Sequence, residues 1–168
     1  MTAPLRLDVR RRAAGGEPAT ELLLDVPSHL EYVGPAVELI ADQFRAPLPL
    51  SGSPGRPVAP GLRLLSPRRV RFNLRTALAE ALANAIAYGN RQDPSRVVRV
   101  RVEVTVGAVH VHVTDEGAGF DPTAVPDPTL PERLEREDGR GLYVLRSLVD
   151  HVAFNEKGNS VCLTLLAG

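Results

Sequence analysis

The stretch Val98–Thr114, VRVRVEVTVGAVHVHVT, alternates valine with a charged or polar residue and breaks only at Gly107-Ala108. Side chains on a strand point alternately to opposite faces. Val98, Val100, Val102, Val104 and Val106 therefore share one face, with Arg99, Arg101, Glu103 and Thr105 on the other. After the break Val109, Val111 and Val113 alternate with His110, His112 and Thr114. The pattern predicts an antiparallel hairpin with one face in the core and one polar face. A sheet with a single apolar face needs helices on that face only, which predicts an α+β, two-layer sandwich with a mostly antiparallel sheet.

Upstream of the hairpin, Asn73–Asn90 is rich in Ala, Leu, Glu and Arg and holds neither proline nor glycine until Gly89. It reads as a helix with Gly89 placed as a C-terminal cap. At about 100° per residue, Leu74, Leu78, Ala81, Leu82 and Ala85 form one core-facing stripe. Residues 46–67 carry Pro47, Pro49, Pro54, Pro57, Pro60 and Pro67 with Gly52, Gly55 and Gly61, and read as a long surface loop. Nearer the start, Leu5–Arg10 and part of Thr20–Val26 alternate, with a turn at Ala13–Pro18, as in a strand pair. Ser28 with Glu31 three residues on reads as a capping box opening a helix. Its apolar positions are Val33, Val37, Ile40, Ala41 and Phe44, and Pro35 sits in its first turn. Downstream, Gly141–Asp150 reads as a short helix, and His151–Asn155 and Val161–Leu166 as a closing hairpin turning at Lys157-Gly158-Asn159. The sum is five or six strands and three helices, with no internal repeat.

A length of 168 residues predicts one domain, 1–168. Acidic and basic residues balance at 20 each, so net charge favours neither nucleic acid nor an anionic membrane. The run Arg10–Arg12 and the group Arg68, Arg69, Arg71 and Arg75 read as solvated faces. Cys162 is the single cysteine, which excludes a disulfide framework, and its apolar neighbours suggest a buried thiol in a reducing cytosol. No stretch approaches the ~20 apolar residues of a membrane span, so a soluble cytoplasmic protein is expected. His110 and His112 share one strand face at a metal-binding spacing, but no third ligand is evident and a solvated pair is expected.

Three segments carry candidate chemistry. Glu80 and Asn84 are four apart, hence neighbours on one helix flank, surrounded by Ala77, Ala79, Ala81, Ala83, Ala85 and Ala87. A carboxylate beside an amide oxygen can position a hydroxyl and complete the shell of a Mg²⁺ ion. Taken alone, the same residues also describe an alanine-rich packing face with two solvated polar groups. Asp115-Glu116-Gly117-Ala118-Gly119 ends the hairpin's second strand. Its glycines allow close approach of a ligand, and Asp115 can accept a hydrogen bond from an exocyclic amine such as adenine N6. Asp138-Gly139-Arg140-Gly141-Leu142 stands just before a helix, where exposed N–H groups and the helix dipole favour an anion and Arg140 adds a fork suited to phosphate.

The order of these segments resembles the GHKL ATPase superfamily (the Bergerat fold) and, more closely, the bacterial anti-sigma-factor serine/threonine kinases of the RsbW-like group. The resemblance rests on Val26-Pro27 and Tyr32-Val33, Ala79–Ile86, Asp115–Pro122 and Gly139-Arg140-Gly141-Leu142. It implies that Glu80 is the catalytic base acting on a protein hydroxyl and that Asn84 is the Mg²⁺ ligand. It makes Asp115 the adenine-reading carboxylate, with Gly117 and Gly119 shaping the pocket wall. Gly139, Arg140, Gly141 and Leu142 become the phosphate-side turn, and 122–138 a lid over ATP in which Arg133 or Arg136 reaches the γ-phosphate. The implied cofactors are ATP and Mg²⁺. The implied partners are an anti-sigma antagonist of STAS type, a sigma factor and a second copy of the chain. A non-catalytic ATP-binding module that recognises a protein partner is the alternative. The chain departs from the family at Tyr88, where His is common, and at Gly158-Asn159-Ser160, where Gly-Thr is common and either polar residue is a candidate substitute.

Overall fold

A computed structural model describes residues 5–14, 17–44, 65–121, 123 and 137–168. Six strands form one antiparallel sheet: β1 (Leu7–Ala14), β2 (Glu17–Pro27), β3 (Val97–Val104), β4 (Ala108–Thr114), β5 (His151–Phe154) and β6 (Ser160–Leu166). Their order is β1-β2-β3-β4-β6-β5. The alternation that opened the sequence reading sets the register. Val100, Val102 and Val104 lie opposite Val113, Val111 and Val109, and all of them are buried. The strand ends at Val104, however, and Val106 is exposed at 59% in the turn. Thr105 begins the reversal: its N–H and its hydroxyl both donate to the Ala108 carbonyl.

The helices α1 (Val33–Ala41), α2 (Arg75–Asn84) and α3 (Glu137–Leu148) supply the other half of the core. Leu74, Leu78, Ala81, Leu82 and Ala85 are buried in one cluster with the sheet's Leu22, Leu24, Val98, Val111 and Leu163. The fold is thus the α+β sandwich expected. The opposite sheet face stays polar, carrying Arg99, Arg101, Glu103, His110 and His112. Arg101 bridges to Glu21 and Glu103, and His110 Nδ1 pairs with Thr164 Oγ1 at 3.0 Å.

Several local readings change. The helical segment around α2 begins at Pro67, six residues before the predicted start and inside what read as the loop. Ser66 caps it, its Oγ accepting the Arg69 N–H, and proline's missing N–H costs nothing in a first turn. Wider π-type turns, Arg69–Leu74 and Ala85–Gly89, flank α2. The rest of the loop, residues 46–64, lies outside the described residues. Ser28 and Glu31 form no capping box. His29 Nδ1 accepts the Glu31 N–H at 3.4 Å and caps a short 3₁₀ turn, Leu30–Tyr32, ahead of α1. The Ser28 hydroxyl is buried and finds no hydrogen-bond partner among the described residues.

The arginine group is not simply solvated. Arg69 bonds Asp150 and the Leu166 carbonyl, and Arg75 pairs with Glu38 of α1 at 2.6 Å. The N–H of Leu166 and the Arg69 guanidinium together hold the Asp150 carboxyl below its usual range. Cys162 is not a core thiol. It projects from the polar face of β6, half-buried, with Sγ 3.8 Å from His112 Nε2. Its neighbours Val161 and Leu163 take the core side because strand side chains alternate.

Leu82 is fully buried between α2 and the sheet. Leu82→Ala is expected to cost about 2–5 kcal/mol of unfolding free energy, read as a lowered urea midpoint with an unchanged slope.

Candidate functional site

The stripe that buries Leu78 and Leu82 leaves Glu80 and Asn84 on the neighbouring flank of α2, half-buried. Asn84 Nδ2 donates to Glu80 Oε1 at 3.0 Å. That bond orients the amide and leaves Asn84 Oδ1, a hard oxygen, as the atom suited to a magnesium ion. Helix α3 runs back along α2. Asn73 Nδ2 donates to the Leu148 carbonyl at one end, and Gly141 lies against Glu80 and Asn84 at the other. A Cβ at Gly141 would overlap Glu80 Oε1 and sit 3.1 Å from Asn84 Nδ2. Glycine there leaves room for the Glu80 carboxylate beneath α3. Gly139, Arg140 and Gly141 all lie within the first turns of α3, which starts at Glu137 and not at Gly141 as expected. The last two residues of the predicted lid, Glu137 and Asp138, are helical for the same reason. The Arg140 side chain, Arg133, Arg136 and the lid residues 124–136 lie outside the described residues.

At the far side of the same cleft β4 ends in Asp115. Its backbone is fastened to the turn before β6: the Asp115 N–H donates to the Asn159 carbonyl at 2.9 Å, and Asn159 Nδ2 donates to the Asp115 carbonyl at 2.8 Å. The Gly117 N–H donates to Asp115 Oδ1 at 2.7 Å and aims the carboxylate. Gly89 backs onto that carboxylate so closely that any Cβ would overlap it. Gly89 thus makes room for Asp115 and is not a left-handed cap. The positive φ values fall instead on Arg91 (55°) and Gln92 (54°). Burial pushes the Asp115 carboxyl above its ordinary value, opposed by the Gly117 N–H and by Lys157 and Arg96 nearby. Gly119, at φ 77°, packs on the Lys157 carbonyl. Phe120 beyond it meets Phe154 edge to face at 5.2 Å, closing that end of the cleft.

These walls enclose about 650 Å³, within the range of small-molecule sites. The cleft brings together Glu80, Asn84, Asp115, Gly119, Gly141 and Leu142. Asn159 and Ser160 both line it, Ser160 with its hydroxyl 2.6 Å from that of Thr114. Several lining residues were not assigned to the site from sequence, three of them polar and at its open side. Tyr88, 77% exposed, stands at the rim, and Arg91 and Arg96 come from the segment between α2 and β3. A helix-to-strand connection has no periodicity to betray where its side chains point. A larger groove of about 830 Å³ crosses the polar sheet face. Its Arg10, Arg99 and Arg101 are each paired with a carboxylate, so it has less to offer an anionic ligand. Among the described residues no group of three metal-ligating side chains assembles around His110 and His112.

A helix bearing a carboxylate–amide pair faces a half-buried aspartate at a strand end across a cleft on an antiparallel sheet, an arrangement suited to a nucleotide. Residues 62–165 match the histidine kinase-like ATPase domain, and the chain belongs to that family. It is similar to the anti-sigma F factor of Geobacillus thermodenitrificans, 34% identical over 89 residues, 51% of this chain and 60% of that protein. The anti-sigma F factor of Clostridium botulinum (strain Eklund 17B) is 31% identical over 94 residues, 53% of this chain and 66% of that one. The serine/threonine-protein kinase BtrW of Bordetella bronchiseptica is 27% identical over 99 residues, 58% and 70% of the two chains. The chain thus spans about 60% of the length of the first of these curated relatives. No helix among the described residues is long and apolar enough to cross a membrane.

A raised carboxyl pKa in the folded state has a signed consequence. The folded protein binds the proton more tightly than the unfolded chain, so stability from this group is greatest below the ordinary value of 3.8 and falls as pH rises through the raised one. At neutral pH the ionised Asp115 therefore costs stability. Asp115→Asn is expected to match or exceed the wild-type Tm at pH 7, with the difference closing below about pH 4, while ATP affinity falls. Melting curves across pH, paired with ATP titrations, check both halves.

Proposed function

We propose that this chain, as one domain over 1–168, is an ATP-dependent serine/threonine protein kinase and anti-sigma factor. It would phosphorylate an anti-sigma antagonist of STAS type and sequester a sigma factor. The observation that carries the reading is the placement of Glu80 beside Asn84 in the cleft that Asp115 closes at its other end. Similarity to anti-sigma F factors and to a serine/threonine kinase supports the choice of partner and reaction class. A homodimer rests on family resemblance.

In this reading Asp115 accepts a hydrogen bond from the adenine amine, with the Gly117 N–H holding its Oδ1 in place. Gly119 and Asn159 wall the base, and Gly139, Arg140, Gly141 and Leu142 form the phosphate side. Asn84 Oδ1 would hold Mg²⁺, which when bound neutralises phosphate charge. Glu80 accepts the proton of the acceptor hydroxyl as that oxygen bonds the γ-phosphorus and ADP leaves. Phosphoryl transfer needs mainly positioning and charge stabilisation, which such a site can supply with one base. The lid over 122–138 and its Arg133 or Arg136 complete the assignment by resemblance.

Glu80→Gln should keep ATP affinity and slow transfer to the antagonist by roughly 10²–10⁴-fold. Labelled ATP with a panel of antagonist proteins measures this, and an unchanged rate would remove Glu80 as the base. If wild type binds ATP but labels no antagonist, the non-catalytic ATP-binding module becomes the better reading. Asn84→Ala should weaken ATP binding and abolish its response to magnesium. The same magnesium dependence as wild type in a titration would count against that ligand.

A further inference from the structure

We propose that Asn90, outside the cleft, is a positioning residue that holds the base-reading end of the site in register with the helix carrying Glu80 and Asn84. The proposal rests on reading the cleft as an ATP site. Asn90 is fully buried, unusual for so polar a side chain, and its bonds explain why. Its backbone N–H donates to the Ala85 carbonyl at 2.7 Å, and its own carbonyl accepts the Asp93 N–H at 3.1 Å. The side chain reaches in two further directions. Oδ1 accepts the Glu116 N–H at 2.8 Å, and Nδ2 donates to the Val97 carbonyl at 3.0 Å.

Glu116 closes the ring, because its Oε2 accepts the Val97 N–H at 2.8 Å. Three segments are thereby tied together: the end of the α2 helical segment, the start of β3 and, farther along the chain, the exit of β4. Each tie lies one residue from the site. Asn90 follows Gly89, whose backbone backs the Asp115 carboxylate, and Glu116 follows Asp115 itself. The turn that brings Asn90 inward runs on into Arg91 and Gln92, both in the left-handed region, and is held by the Gln92 N–H donating to the Ile86 carbonyl at 2.8 Å. Non-glycine residues adopt that conformation at a cost, so the surrounding bonds must impose it.

Only a carboxamide of this length meets both partners. Aspartate accepts from Glu116 as well, but sets an oxygen against the Val97 carbonyl. A small apolar residue leaves a buried donor and a buried acceptor unpaired. One end of a bound nucleotide would be fixed by α2 and the other by the β4 exit. Their separation must match the ligand closely, which depends on supporting residues that do not touch it.

The test compares Mg-ATP with magnesium and inorganic triphosphate by calorimetric titration of the full chain. The ratio of the two affinities reports what the base contributes. Wild type is expected to favour ATP, and Asn90→Asp to lose roughly tenfold or more of that preference. Val104→Ala, a core truncation at the opposite end of β3, serves as the control. At a comparable loss of Tm it should keep the wild-type ratio. Glu116→Ala opens the same ring from an exposed residue and should lose part of the preference, and it decides the matter alone if Asn90→Asp does not fold. A wild-type ratio in both ring variants, or an equal loss in Val104→Ala, overturns the positioning role. A wild type that does not favour ATP over triphosphate overturns the ATP reading of the cleft, and the proposal with it.

Discussion

The packing of one stripe of α2 against the valine face of the sheet is the constraint from which the rest follows. Leu78, Leu82 and Val100 are all but removed from solvent, and each buried side chain of this kind contributes about 1.5–3 kcal/mol. Once that stripe is seated, the helix cannot rotate, and Glu80 and Asn84 are committed to its flank. The flank meets Gly141 of α3 so closely that a Cβ there would displace the Glu80 carboxylate from its present position. The position of the polar pair is thus a by-product of hydrophobic burial, and one hydrogen bond joins the two side chains.

The opposite wall is built at the expense of stability. Asp115 is half-buried at the end of β4, where the Gly117 N–H donates to its carboxylate and partial burial disfavours its charged form. Gly89 gives up a side chain so that the carboxylate fits. A carboxylate in that setting has more to gain from a hydrogen-bonding ligand than one already solvated. This is the expected trade between a firm core and a site held in an unfavourable state, and it accords with membership of an ATPase domain family.

The strands were readable because each has one buried face, so a period of two is written into the residues of β3 and β4. The core face of α2 was readable for the same reason at a period of 3.6. Element starts were not. Ser66-Pro67 opens the α2 segment, yet it lies at the end of a proline-rich run and resembles the loop before it. Ser28 and Glu31 have the residues of a capping box, but chain geometry gave the cap to His29. Cys162 was misplaced because its neighbours are apolar on both sides, which conceals the parity of a strand with few polar residues. In the cleft, Glu80, Asn84, Asp115 and Gly141 were legible as residues and in order. Arg91 and Arg96 were not assigned a place in the site, since the connection between α2 and β3 carries no period.

What this chain's sequence determined by itself is the class of fold and the residues available for chemistry, because periodic burial and glycine placement are local properties. What only the tertiary structure decided is which groups face one another. Gly89 against Asp115, Gly141 against Glu80, and Asn90 against Glu116 join segments far apart in the chain. Such contacts depend on how closely backbones approach and on which hydrogen bonds survive burial, and no local pattern of residues encodes either.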